Sequence, residues 1–349
     1  MSHGRRAAKL GLELAYFAGF SHLANRFNRD GVILRLQRVR PDSAAPFQPL
    51  RREEVTPDFL DRAIGALKRW KFDFIAIDDV QSRCTDVTAP RFVCLTFDNA
   101  YRDFITAAYP VLERHRVPFT LYIPTGFVDR IAAPWWLALE RIVADQSRIS
   151  LFMDGHERRF ETAKISEKYL TFEYLYRWML TLPPLDLAHA VGDLCGRYGV
   201  HLAKIADEVA ITWPDLARIA ADRNATIASA TVNYPVLAKT DGRTALREMK
   251  MGRSVLETAI GRNCAHFAYP FGDEGVFGVR EVRLAREAGF ATAVSALPGV
   301  ITAGADLLSL PRLAWDGRMT SLRALHVTAS GLTARLSRGG ARLARMSED

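Results

Sequence analysis

The sequence predicts an α/β fold of buried parallel strands, and three observations carry that prediction. Short apolar runs such as Val32–Leu36, Arg91–Phe97 and Phe119–Ile123 recur along the chain. Stretches with helical spacing separate them, which is the pattern of repeated β–α units. The 349 residues, 49% hydrophobic and 25% charged, suffice for one barrel-sized globular domain or two smaller ones.

The elements follow in order. Residues 1–30 read as an N-terminal amphipathic helix. Leu10 to Phe20 follows Arg5, Arg6 and Lys9, but Glu13 interrupts it and no small-x-small cleavage site comes after, which argues against a signal peptide. Val32–Leu36 is the first strand, and a Pro- and Ala-rich loop runs to Leu50. Thr56-Pro57 is an N-cap followed by proline at the first helical position, with Leu60, Ile64 and Leu67 on one face. Phe72–Ile77 and Arg91–Phe97 are strands, and Asp103–His115 holds a helix with Ile105, Tyr109 and Leu112 at helical spacing. Phe119–Ile123 is a strand. From about 135 to 220 the rhythm breaks into helical stretches around a polar patch, Asp154–Arg159, and no flexible linker flanks the segment. It is expected to be a helical insertion rather than an independent domain. Alternation resumes with strands at Ala225–Ser229, Ala265–Tyr269 and Phe290–Ser295 and helices at Arg243–Ile260 and Arg280–Ala288. The main domain is thus placed at 31–325 and a basic tail at 326–349. Gly339-Gly340 splits the Arg-rich stretch from Leu322 to Met346 into a docked helix and a basic end.

A formal charge of +8 favours anionic partners such as acidic glycans, phosphorylated sugars or a lipid surface, against the plainer reading of a solvated basic face. No run approaches the roughly 18 apolar residues of a membrane span. Cys84, Cys94, Cys195 and Cys264 form no Cys-x-x-Cys pair, which suits reduced core thiols in the cytoplasm, with weak contact to an anionic membrane surface as a further option. No glycine-rich phosphate loop, nucleophile elbow or zinc-finger spacing is present, and the dispersed basic residues do not make a nucleic-acid site.

Asp98 ends an apolar strand. In a β–α barrel it would stand at the C-terminal face, where such barrels gather their active sites. A carboxylate there can act as a general base, or it can cap the following helix; the residues alone leave both open. Asp103, which begins the helical pattern, suits the cap role better. No two of the eight histidines lie three or four apart, so no local metal-binding pair exists. His266 precedes its strand and is expected on the opposite side of the sheet from the motif that follows it.

Leu95-Thr96-Phe97-Asp98-Asn99-Ala100-Tyr101-Arg102-Asp103-Phe104 resembles the Thr-Phe-Asp-Asp-Gly-Tyr-Arg-Asp signature of the polysaccharide deacetylases, the nodulation-protein-B type of carbohydrate esterase. Four further segments are similar to that family in the expected order. They are Phe119–Phe127 with the Trp135-Trp136 pair, Thr226–Pro235 where members carry His-Thr-x-x-His-Pro, His266–Gly272, and Leu310-Pro311-Arg312. The resemblance implies a distorted (β/α) barrel, a glycan or acetylated oligosaccharide as partner, and Asp98 in the position of the catalytic base.

It also implies a zinc or other divalent site at Asn99, Ala230 and Tyr234, where the family has aspartate and two histidines. An amide, a methyl and a phenol are poor ligands, so the expected metal content is none. Gln37, Ala100 and Phe104 depart from the family pattern as well. Asn99, Tyr101, Tyr234, Tyr269, Pro270 and Phe271 are the candidate substrate-binding residues. The expected function is a glycan-binding or regulatory member without metal-dependent deacetylation. The alternative is a hydrolase that removes acetyl groups with Asp98 as base and no metal, or with a relocated one. A third reading, a basic peripheral membrane or assembly protein, rests on the two chain ends.

Overall fold

The computed structural model describes residues 31–85, 90–99, 101–315, 317 and 321–331. The helix expected in 1–30, the turn residue Ala100 and the tail beyond 331 lie outside them. No helix of the described residues is long and apolar enough to cross a membrane.

Eight parallel strands form the central sheet: β1 Val32–Leu36, β2 Asp73–Phe74, β3 Phe92–Asp98, β4 Phe119–Ile123, β5 Ala225–Ser229, β6 His266–Ala268, β7 Thr292–Val294 and β8 Leu313–Ala314. Their order is β7-β6-β5-β4-β3-β1-β8, with β2 pairing only the first two residues of β3. The segment 310–314 joins the two edges. Leu310 bridges Val294 of β7, while Leu313 and Ala314 pair with Leu34 and Arg35 of β1. The result is a distorted (β/α) barrel.

Side chains alternate across each strand. Val32, Leu34 and Leu36, with Val93, Leu95, Phe97, Leu121 and Ile123, face outward into a core shared with the helices. One such helix, Pro57–Arg69, is capped as expected, by the Thr56 hydroxyl accepting from the Phe59 N–H at 3.2 Å. The inward phase is apolar at the base, with Ile33 and Cys94, and turns polar toward the mouth at Arg35, Gln37, Thr96 and Asp98. Both faces of a strand are therefore buried, which is why the strands read as continuous apolar runs.

The segment 135–220 is helical at Trp135–Asp145, Ile165–Thr181, Pro184–Tyr198, Leu202–Val209 and Trp213–Ala220. It differs from expectation in one element. Arg148–Met153 and His156–Glu161 form an antiparallel hairpin across the polar patch. Its turn is Asp154-Gly155, with φ of 50° and 85°, the left-handed pair that a tight two-residue hairpin requires. Trp136, Leu175 and neighbours pack in one cluster with Ile33, Tyr122 and Tyr234, so the insertion closes over the barrel mouth. Phe72–Ile77 keeps only two strand residues before the chain turns into a short 3-10 helix at Ile77–Asp79. Asp103 departs from its expected cap role: its carboxylate makes no cap hydrogen bond and pairs with Arg38 at 2.7 Å.

Candidate functional site

The tips of β1, β3, β5 and β6 converge on a cavity of about 240 Å³ at the C-terminal end of the barrel. Arg35 and Gln37 reach it from β1 and Asn99 from the residue after β3. Tyr234 and Phe271 come from the loops after β5 and β6, and the insertion adds Trp136 and Tyr176. Arg52, Glu53, Asp273 and Trp315 complete the charged and aromatic lining.

The loop after β5 holds Tyr234 by force. Thr231 and Tyr234 sit at φ of 69° and 55°, in the left-handed region that β-branched and bulky residues avoid. Asn99 and Phe271 share that region, at 78° and 61°. The surrounding structure imposes it. The Glu248 carboxylate accepts from the Val232 and Asn233 N–H groups at 3.1 and 2.8 Å and from the Asn233 amide at 2.6 Å. The Thr231 hydroxyl accepts from the Tyr234 N–H at 3.0 Å. A Cβ on Gly252 would lie 2.7 Å from the Thr231 backbone, so only glycine lets that helix approach. Strain of this kind costs on the order of 1–3 kcal/mol per residue and gathers at functional sites.

Tyr234 forms one wall with Phe271 and Trp136, at ring-centroid distances of 5.0 and 5.8 Å. Its hydroxyl oxygen accepts from the Phe271 N–H at 3.2 Å. Burial, then the nearby Asp98 charge, pushes its phenol well above the ordinary value. Beneath the cavity Asp98 is buried, and both its oxygens accept from Arg312, at 2.7 and 2.9 Å. Arg312 also donates to the Ser295 carbonyl at 2.6 Å and to the Thr96 hydroxyl at 3.2 Å. The two charges, desolvated together, neutralise one another in bidentate geometry.

The sequence-derived candidates divide here. Asn99, Tyr234 and Phe271 line the cavity, and Ala230 is buried in the barrel core. Tyr101, Tyr269 and Pro270, expected to touch substrate, are not among the lining residues. Tyr101 is buried, accepts from the Trp136 indole at 2.9 Å and lies under the Arg38 guanidinium. Tyr269 donates to the Leu308 carbonyl at 2.8 Å and stacks on Phe277 at 4.3 Å. Phe104 packs between Phe97 and Phe119 in the outer core, so its departure from the family pattern does not belong to the pocket. His266 lies at the base, as expected, between Asp78 and Thr292. Arg35, Glu53 and Asp273 escaped the sequence reading. An arginine on the inward phase of an apolar strand was the available signal, since charged residues are rarely buried without a purpose.

The family's divalent ion does not fit these residues. Asn99 offers a neutral oxygen, Ala230 offers none, and the Tyr234 phenol is held in its protonated form with its oxygen already accepting a hydrogen bond. Among the described residues no cluster of three His, Cys, Asp or Glu side chains is placed to hold an ion. Aromatic faces, two amides and four charged groups surround a small polar space.

Comparison with known proteins agrees with the fold. Three of the solved structures that resemble it serve as examples, each covering most of this chain. The Streptococcus pyogenes deacetylase PplD in complex with acetate is 18% identical with a TM-score of 0.57, over 86% of this chain and 98% of its own. IcaB from Ammonifex degensii is 14% identical at 0.56, over 87% and 98%. The de-N-acetylase from Aggregatibacter actinomycetemcomitans is 14% identical at 0.54, over 85% and 99%. No curated protein matches. The family model for polysaccharide deacetylase matches residues 85–152 and 163–293, more than half of the chain. The chain belongs to the polysaccharide deacetylase family.

Proposed function

We propose that this protein binds a sugar unit of an acetylated glycan in the barrel-mouth cavity, without metal-dependent deacetylation. Family membership supports an acetylated glycan as the ligand class. The carrying observation is the identity of the three ligand positions, Asn99, Ala230 and Tyr234, with the Tyr234 phenol buried and engaged by Phe271. A cavity of about 240 Å³ lies below the roughly 300–1,000 Å³ of sites for drug-sized ligands, which suits one sugar ring rather than a chain segment. The rings of Tyr234, Phe271 and Trp136 offer flat apolar faces, and Gln37 and Asn99 offer amide partners for hydroxyls. The free thiols, three of them buried, support the cytoplasmic placement.

Elemental analysis combined with an acetate-release assay on N-acetylglucosamine oligomers tests the reading. The expected outcome is no stoichiometric zinc, no acetate, and measurable oligomer binding by calorimetry. Bound zinc together with acetate release removes it. Acetate release that survives chelation but disappears in Asp98→Asn establishes instead the alternative, a hydrolase with Asp98 as base. That alternative requires an oxyanion stabiliser other than a metal.

A further inference from the structure

Arg35 is the unexplained group of this cavity. It is partly buried, and its guanidinium makes no hydrogen bond or ion pair with any described residue. Its natural partner would be Asp98, at the tip of the neighbouring strand, but Arg312 occupies both oxygens of that carboxylate. Glu53 and Asp273 share the cavity with Arg35, yet neither pairs with it. Burial alone would lower Arg35, but Asp98, Asp273 and Glu53 together hold it above its ordinary value, so it stays charged. Three carboxylates keep the cation charged and none binds it.

A cation held this way has five N–H donors in a planar fork, and an unpaired desolvated charge is costly unless something else satisfies it. The fork matches a carboxylate or phosphate through two parallel hydrogen bonds. We infer that the cavity is built for an acidic sugar, a ring bearing a carboxylate or a phosphate, whose oxyanion docks on Arg35 while the ring lies against Tyr234, Phe271 and Trp136. This rests on the glycan-binding reading above and narrows its ligand class.

Two features of the lining agree. Two of the lining residues carry buried polar atoms without a partner, the donor Trp315 Nε1 and the acceptor Asn99 Oδ1. The charges facing the cavity are Arg35 and Arg52 against Glu53 and Asp273. Burial pushes the Glu53 carboxyl up, against the pull of Arg35 and Arg52. Asp273 is exposed and stands as a like charge to an incoming anion.

Calorimetry on the full chain with four probes tests this: glucuronate, glucose 6-phosphate, glucose and N-acetylglucosamine. At least one acid should bind about tenfold or more tightly than glucose, and the order of the two acids tells carboxylate from phosphate. Arg35→Met should erase the preference, bringing the acids down to the level of glucose. Asp273→Asn, at an exposed position of the lining, should widen the preference for the acids over glucose. Melting curves establish that both variants are folded. Neutral sugars binding as tightly as the acids, or a preference that survives Arg35→Met in a folded protein, overturns the inference and leaves the glycan-binding reading standing. Absence of binding by all four probes and by N-acetylglucosamine oligomers removes both.

Discussion

The two ends of the barrel treat buried polar groups in opposite ways. At the base, His266 bonds Asp78 at 3.0 Å through Nε2 and the Thr292 hydroxyl at 2.8 Å through Nδ1. The other Asp78 oxygen accepts from the Thr226 hydroxyl at 2.8 Å. This network ties the starts of β5, β6 and β7 to the turn after β2 and leaves no group of its own wanting. At the mouth, Arg35, Asn99 Oδ1 and Trp315 Nε1 have no partner, and four residues carry left-handed backbone. A network that satisfies itself serves stability; unpartnered groups at the mouth mark where the proposed ligand would act.

The largest effect should come from the one fully satisfied ion pair at the mouth. Arg312→Met strands Asp98 as a buried charge and is expected to cost about 3–5 kcal/mol in denaturant unfolding. Adding Asp98→Asn should recover part of that loss. A single-variant cost below about 1 kcal/mol would mean that mouth and base do not differ as described.

A smaller, pH-dependent effect belongs to Glu140 on the insertion. Burial first, then Glu54, pushes its carboxyl from 4.5 up to about 7. A raised carboxyl stabilises the fold fully below its ordinary value and loses that contribution as pH rises through about 7. Glu140→Gln should therefore gain on the order of 1–3 kcal/mol near pH 8, gain little near pH 4, and flatten the stability profile between. Equal gains at both pH values would refute the assignment.

The smallest effect is predicted at the base. The hydrogen bond to His266 chiefly holds Asp78 down at about 2, so its contribution is present above its ordinary pKa and fades only as pH falls toward about 2. Asp78 is half exposed, so solvent screening limits Asp78→Asn to about 1 kcal/mol or less near neutral pH, with sugar binding unchanged. A change in sugar affinity would show that the two ends communicate.

Much of this arrangement is legible in the sequence where the signal is local. Val32–Leu36, Phe119–Ile123 and Ala225–Ser229 are strands at the expected bounds, because an apolar run buried on both faces leaves no ambiguity of phase. The Thr56 cap is equally local. The hairpin in the insertion was not legible: His156–Glu161 is exposed at almost every position, so it carries no alternation, and only Asp154-Gly155 marks the turn. Strand β8 is two residues long and owes its pairing to closure of the sheet. The site follows the same rule. Asn99, Tyr234, Phe271 and Arg312 sit in ordered motifs, whereas Arg35 and Glu53 acquire meaning only when the fold brings them to the barrel mouth.

The seam at 310–314 has a consequence for how the chain is made. The nascent polypeptide carries β1 and β7 as open edges until residue 314 has left the ribosome, and Asp98 lacks its bidentate partner until residue 312 has emerged. Open strand edges invite pairing with other chains. A stop codon or proteolytic nick ahead of residue 310 should thus yield aggregates rather than a smaller folded protein.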